Sequence, residues 1–234
     1  MADLERLGVA VYAVSYDPAE VLAAFALKRG VTFPLLSDVG SVVIRRLGLL
    51  NDHLDQQHAY FGVETTDRHR GIPHPGTFLL DEDGAVQDKV FEQQHRTRLS
   101  APSLVETLLR GMSTRPTTSA VAEGDGVRVA VSVNQDFYHP YQKLLLNLRL
   151  TIPQGTHVYA EPSPEGLTGL NCVIEPVEGL DAAALELPPG ATIDAAGEQV
   201  EGYEGDVAGG LWFAINKFQG DITLTVRVRY QVCT

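Results

Sequence analysis

Gly71-Ile72-Pro73-His74-Pro75-Gly76-Thr77-Phe78-Leu79-Leu80-Asp81-Glu82-Asp83-Gly84 decides how the first half of this 234-residue chain is read. Its apolar run Thr77–Leu80 is followed by a turn closing on Asp-Gly, a strong hairpin signal, and Ala85–Phe91 then supplies a second short strand. Upstream, Val9–Ser15 (Val-Ala-Val-Tyr-Ala-Val-Ser) is an apolar, β-rich run of the kind that forms a strand covered on both faces of a parallel sheet. Asp17 is placed to cap a helix with Pro18 in its first turn, and Val21, Leu22, Phe25 and Ala26 form its apolar stripe up to Gly30. After Phe33-Pro34-Leu35-Leu36, Ser37 or Asp38 starts a second helix with Val42, Val43 and Leu47 on one side, closing near Gly48. Residues 51–73 are polar and aperiodic and read as a long loop, and a helix is expected over Ala101–Arg110.

The composition shifts between Gly111 and Gly126 to Ser, Thr, Pro, Ala and Gly, which is linker chemistry. Three parts are therefore expected: an α/β domain at 1–112, a linker at 113–126 and a second domain at 127–234. In that second domain Val127–Val133, Leu144–Ile152 and Ile222–Val232 alternate apolar and polar residues between Gly/Pro-rich turns. Shorter runs at His157–Ala160, Cys172–Glu175 and Trp212–Ile215, with little helical period between them, make an antiparallel β-sandwich the expected architecture.

With a net charge of -12 and no Lys/Arg cluster, the chain is not built to bind nucleic acid or anionic membranes. An apolar content of 44% without a bilayer-length apolar run reads as a soluble globular protein with no membrane insertion. Met1-Ala-Asp-Leu-Glu-Arg-Leu-Gly8 has no charged region followed by an apolar one, so the chain as given shows no secretory signal. The two cysteines, Cys172 and Cys233, form no Cys-x-x-Cys, so neither a redox motif nor a metal knuckle is written locally. His53 and His58 are five apart, a spacing that does not stack on one helical face, and no metal site is expected there. Arg96 and Arg98 line a groove, stabilise a helix entry or sit solvated, and Asp81, Glu82 and Asp83 read as a solvated turn.

The stretch 71–84, together with Gly8–Asp17 and Val31–Asp38, resembles the AhpC/TSA redoxin family across nearly all of Ala2–Met112. The resemblance implies an incomplete thioredoxin-like domain. It places Pro75 at the family's cis-proline beside the active thiol and Thr77 next to it in a substrate groove. Read from the residues alone, Pro75 is a turn proline before a strand and Thr77 a strand residue of high β propensity. A redoxin's thiolate sits at a helix N-terminus, yet no cysteine precedes Cys172, and Ala2–Leu7 looks like the last turns of the helix that would carry it. The strand preceding that helix would normally lie between Val9–Ser15 and Thr77–Leu80, so a gap or direct pairing of those two is expected.

In the second half, Pro140-Tyr-Gln142, Gly155-Thr-His-Val-Tyr-Ala-Glu-Pro162, Tyr203-Glu-Gly205 and Tyr230-Gln-Val-Cys-Thr234 resemble the N-terminal domain of the disulfide reductase DsbD, from about Gly126 onward. That implies an immunoglobulin-like β-sandwich passing electrons through a cysteine pair, with Cys233 at the first position. Cys172 lies inside a strand, where free cysteine is usually buried and inert. The two resemblances imply a fragment of a thiol-disulfide oxidoreductase or thiol peroxidase, lacking its nucleophilic cysteine and needing no cofactor beyond thiols. Its implied partners are peroxide or a protein thiol or disulfide, with a homodimer through exposed sheet edges of the first domain as a further expectation. The alternative is a non-catalytic protein-interaction module. The compartment is left open between cytoplasm and export.

Overall fold

The computed structural model describes residues 4, 6, 8–92, 97–109, 117–195 and 198–234. The chain divides into two compact units, Met1–His95 and Arg96–Thr234.

In the first unit, β1 (Ala13–Ser15) is followed by helix α1 (Ala19–Arg29), then β2 (Leu35–Ser37), which pairs in parallel with β1, Ala13 opposite Leu35. Asp17 does not cap α1; its carboxylate accepts from the Ser15 hydroxyl at 2.6 Å, while Gly30 ends the helix in the left-handed conformation that glycine reaches without strain. Helix α2 (Val42–Arg46) begins after Ser41, later than the expected Ser37 or Asp38, although the Asp38 carboxylate reaches forward to accept the backbone N–H groups of Val42, Val43 and Ile44. The stripe is turned outward: Ile44 is buried, whereas Val42, Val43 and Leu47 are exposed. The stretch expected to be a loop holds helix α3 (Leu54–Tyr60) and a 3₁₀ turn at Asp67–His69. The expected hairpin is present as β3 (Gly76–Leu80) and β4 (Val86–Phe91), with Thr77 opposite Val90 and Gly84 at φ 80° in the turn.

The pairs β1–β2 and β3–β4 are separate two-stranded sheets, so a gap rather than direct pairing separates β1 from β3. The first strand is accordingly not covered on both faces: Tyr12 and Val14 are exposed. A parallel pair gains that cover only from flanking strands and from helices on each side. The expected last helical turns at Ala2–Leu7 lie mostly outside the described residues.

The second unit opens earlier than the sequence suggests. Strand β5 (Arg98–Leu99) is followed by helix α4 (Ala101–Leu108), capped by the Ser100 hydroxyl accepting from Ser103 N–H. Within the stretch expected to be linker runs β6 (Thr118–Gly124), paired along its whole length with β7 (Val127–Val133). The Asp125-Gly126 turn between them has φ of 51° and 77°, the conformation a two-residue hairpin requires. Residues 113–116, and Arg96, lie outside the described residues.

Next come β8 (Gln142–Thr151), β9 (His157–Tyr159), β10 (Asn171–Ile174), β11 (Leu180–Ala182), β12 (Ala191–Ala195), β13 (Glu198–Tyr203), β14 (Asp206–Ile215), β15 (Val226–Arg229) and β16 (Val232–Cys233). One sheet runs β11-β14-β8-β7-β6, with β5 joining β8 in parallel; the others are β12-β13-β9-β16 and β10-β15. The run expected as one strand over Ile222–Val232 is split, because the chain leaves β10 after Arg229 and joins β9 at Val232.

Alternation places Leu144, Leu146, Leu148 and Leu150 of β8 inward, with Arg149 and Thr151 outward. They meet Cys172 and Ile174 of β10, Val226 and Val228 of β15, and Val207, Leu211 and Phe213 of β14 in one core. Burying each large aliphatic side chain is worth roughly 1.5–3 kcal/mol, so this layer holds the sandwich together. The architecture is an immunoglobulin-like antiparallel β-sandwich preceded by an incomplete thioredoxin-like part.

Candidate thiol site

The β9–β16 pair builds the site. Val232 lies opposite Val158 and Cys233 opposite His157. Facing residues of an antiparallel pair share a side, and residues two apart along a strand return to it. Val158 and Val232 therefore turn toward the main core, while Cys233, His157 and Tyr159 occupy the other face. There Tyr159 packs with Ile193 of β12 and Val200 of β13, and Cys233 and Leu167 lie against this small apolar cluster.

Two polar groups meet the Cys233 sulfur. The Gln231 side-chain amide donates to Sγ at 3.7 Å, and its own Oε1 accepts from the Thr168 N–H at 2.9 Å, which fixes the amide's direction. The neighbouring Cys233 thiol first, and burial second, hold the Tyr159 phenol above its ordinary range. His157 stacks edge-on against Tyr159 with ring centroids 5.2 Å apart. It is 8% exposed, and its Nε2 is buried without a hydrogen-bond partner among the described residues. Leaving such a nitrogen unpaired costs on the order of 1–3 kcal/mol.

The other candidates are placed elsewhere. Cys172 is on the inner face of β10, opposite Val228, and burial pushes its thiol up to about 11. Both cysteines are free. Pro75 and Thr77 are brought together in the first unit at the start of β3, Pro75 accepting at its carbonyl from Glu92 N–H and Thr77 paired with Val90. The His74–Pro75 bond is trans; the cis bond among the described residues is Glu161–Pro162. His58 bonds Thr65 through Nδ1, and no described cluster of His, Cys, Asp or Glu could hold a metal ion. Sequence reading assigned no role to Tyr159, His157 or Gln231. The polar-apolar-polar order of His157-Val158-Tyr159 carried the signal, since it turns both rings to one face.

An immunoglobulin-like sandwich carrying a half-buried thiol among fixed donors, joined to a thioredoxin-like part, defines a thiol-redox-related protein. The comparisons agree: residues 1–89 match the AhpC/TSA family, and residues 128–234 match the N-terminal domain of the thiol:disulfide interchange protein DsbD. The chain is 31% identical over 85 residues to a putative peroxiredoxin bcp of Coxiella burnetii, covering 36% of this chain and 50% of that protein. It is likewise 31% identical over 87 residues to peroxiredoxin Bcp of Escherichia coli K12, covering 37% and 49%. The chain thus spans about half the length of these curated relatives. A crystal structure of the N-terminal periplasmic domain of ScsB from Proteus mirabilis aligns at 15% identity over 52% of this chain and 46% of that one, with a TM-score of 0.37, too slight a likeness to bear on the fold. No helix among the described residues is long and apolar enough to cross a membrane.

Proposed function

We propose that the second unit exchanges electrons with a protein thiol or disulfide through Cys233, as part of a redoxin-type thiol-disulfide oxidoreductase or thiol peroxidase. The observation carrying this reading is the half-buried Cys233 sulfur met by the Gln231 amide and the Tyr159 hydroxyl. In the forward step the Cys233 thiolate attacks one sulfur of a partner disulfide. A new S–S bond forms, the partner's S–S bond breaks, and the second partner sulfur leaves as a thiolate; a further thiol then resolves the mixed disulfide. The two donors stand where charge develops on sulfur during that exchange. The redoxin half, with Pro75 and Thr77 at the edge of its groove, would act on peroxide or disulfide only with a nucleophilic thiol, and the present 234 residues hold none before Cys172. Self-association through exposed sheet edges belongs to the same reading.

Ellman's disulfide reagent tests it. At pH 8 the native chain should release one equivalent of chromophore rapidly, unchanged in Cys172→Ser and lost in Cys233→Ser, because Cys172 stays a protonated, covered thiol well below about 11. A rapid equivalent that survives Cys233→Ser would refute the assignment. With hydrogen peroxide and dithiothreitol, no turnover is expected from this chain.

A further inference from the structure

Strand β6 is an edge without the usual protection. Sheet edges are normally guarded by short length, inward charge, Lys, Pro or a bulge. Among the chain's other described edges, β16 has two residues, β1, β2 and β11 three each, β10 four, and β3 and β12 five, while β15 carries Arg227 and Arg229 and β4 carries Asp88 beside a register shift; none is as long as β6 in unbroken register. β6 runs seven residues, Thr-Ser-Ala-Val-Ala-Glu-Gly, in unbroken register, with one charge and no proline. Thr118–Glu123 are all exposed, Val121 to 54%, and among the described residues β6 pairs with no strand other than β7.

Its inward residues are small. Thr118, Ala120, Ala122 and Gly124 lie opposite Val133, Val131, Val129 and Val127, the last two being core residues. Such short side chains do not reach the far wall of the sandwich formed by Ile222, Leu224, Val226 and Val228. The sandwich is left open along a seam of about 990 Å³ between that wall and β6–β7. At one end the Tyr230 hydroxyl donates to the Gly124 carbonyl at 2.9 Å and ties the two walls together.

We propose that a second copy of this chain covers the edge, β6 pairing antiparallel with its own counterpart about a two-fold axis at Val121. The strand's sequence selects this occupant and this register. Centred on Val121, all seven residues pair: Val121 with Val121, Ala120 with Ala122, Ser119 with Glu123 and Thr118 with Gly124. The charge of Glu123 meets a serine hydroxyl that can donate to it. Centring on Glu123 instead sets two carboxylates opposite each other, and centring on Ala120 or Ala122 leaves two residues of each strand outside the pairing. Because facing residues share a side, the inward faces of both copies lie on one side of the joined sheet. The two apolar seams then meet across the axis, removing exposed apolar wall as well as free strand edge. This interface is in the second unit rather than at the first unit's short sheets, and it does not depend on the thiol chemistry of Cys233.

The test uses the full chain carrying Cys233→Ser, with Cys172 left covered in the core. Light scattering at tens of micromolar should give twice the chain mass, and Val121→Lys should return it to monomer. Under mild oxidation Val121→Cys should cross-link to a covalent dimer, Ser119→Cys alone should not, and an equimolar mixture of Ser119→Cys and Glu123→Cys should, since only these combinations bring cysteines face to face. All three positions are exposed, so folding is not at stake. A monomeric mass for the parent overturns the proposal, as does a dimer that cross-links equally well at 119 and 121 or persists in Val121→Lys.

Discussion

The two units obey the same rules of strand and helix formation and end in opposite states of burial. In Met1–His95 the buried apolar side chains among the described residues are Leu22 and Ile44, while Val21, Phe25, Leu36, Val42 and Val43 are exposed. In Arg96–Thr234 a continuous core joins both layers of the sandwich. The difference lies in sheet size. Two-stranded sheets offer too little surface for a helix to cover, whereas the β14-β8-β7 centre has strands on both sides and a second layer above it. Local propensity builds α1 and the β3–β4 hairpin readily, but burial requires long-range neighbours.

Substitutions can sharpen or break that contrast. The largest effect is expected for Leu148→Ala in β8, where a side chain 1% exposed leaves a cavity and should cost about 3 kcal/mol in urea unfolding of the second unit. Next is Ser100→Ala, which removes the N-cap of α4 and should cost about 1 kcal/mol in the same measurement, tying Ser100 and α4 to the second unit's transition. A smaller, pH-dependent change is expected at Asp38. The backbone N–H of Ile44 above all, with those of Val43 and Val42, holds its carboxyl below the ordinary range. The stability it lends α2 is therefore complete above the unfolded carboxylate value and lost as pH falls through the lowered folded one. Asp38→Asn should flatten that acid limb in circular dichroism. Least of all, Phe25→Ser in α1 should change stability by no more than about 0.5 kcal/mol, as for an exposed site. A much larger loss there would show that the first unit's apolar surface is covered in solution, and the contrast would fail.

Much of this was legible in order of residues. Asp83-Gly84 marked the β3–β4 hairpin, and the alternating leucines marked β8. Asp125-Gly126 is a turn signal of the same type, but the Ser/Thr/Ala composition of Thr118–Ala122 reads as linker, because small residues mark a strand only once a neighbour such as β7 pairs with it. The outward face of α2 escaped for a related reason: periodicity locates a stripe but not whether anything packs on it.

By itself, then, the sequence determined the β3–β4 hairpin, the leucine strand β8, the succession of an α/β part and a strand-rich part, and the isolation of two thiols without a motif between them. Tertiary structure decided what surrounds each thiol. Strand register puts Cys172 in an apolar core and Cys233 beside Tyr159, Gln231 and the unpaired nitrogen of His157. Periodicity assigns a residue to a face of its strand, whereas reactivity depends on which distant residues share that face, and only the folded chain brings residue 157 to residue 233.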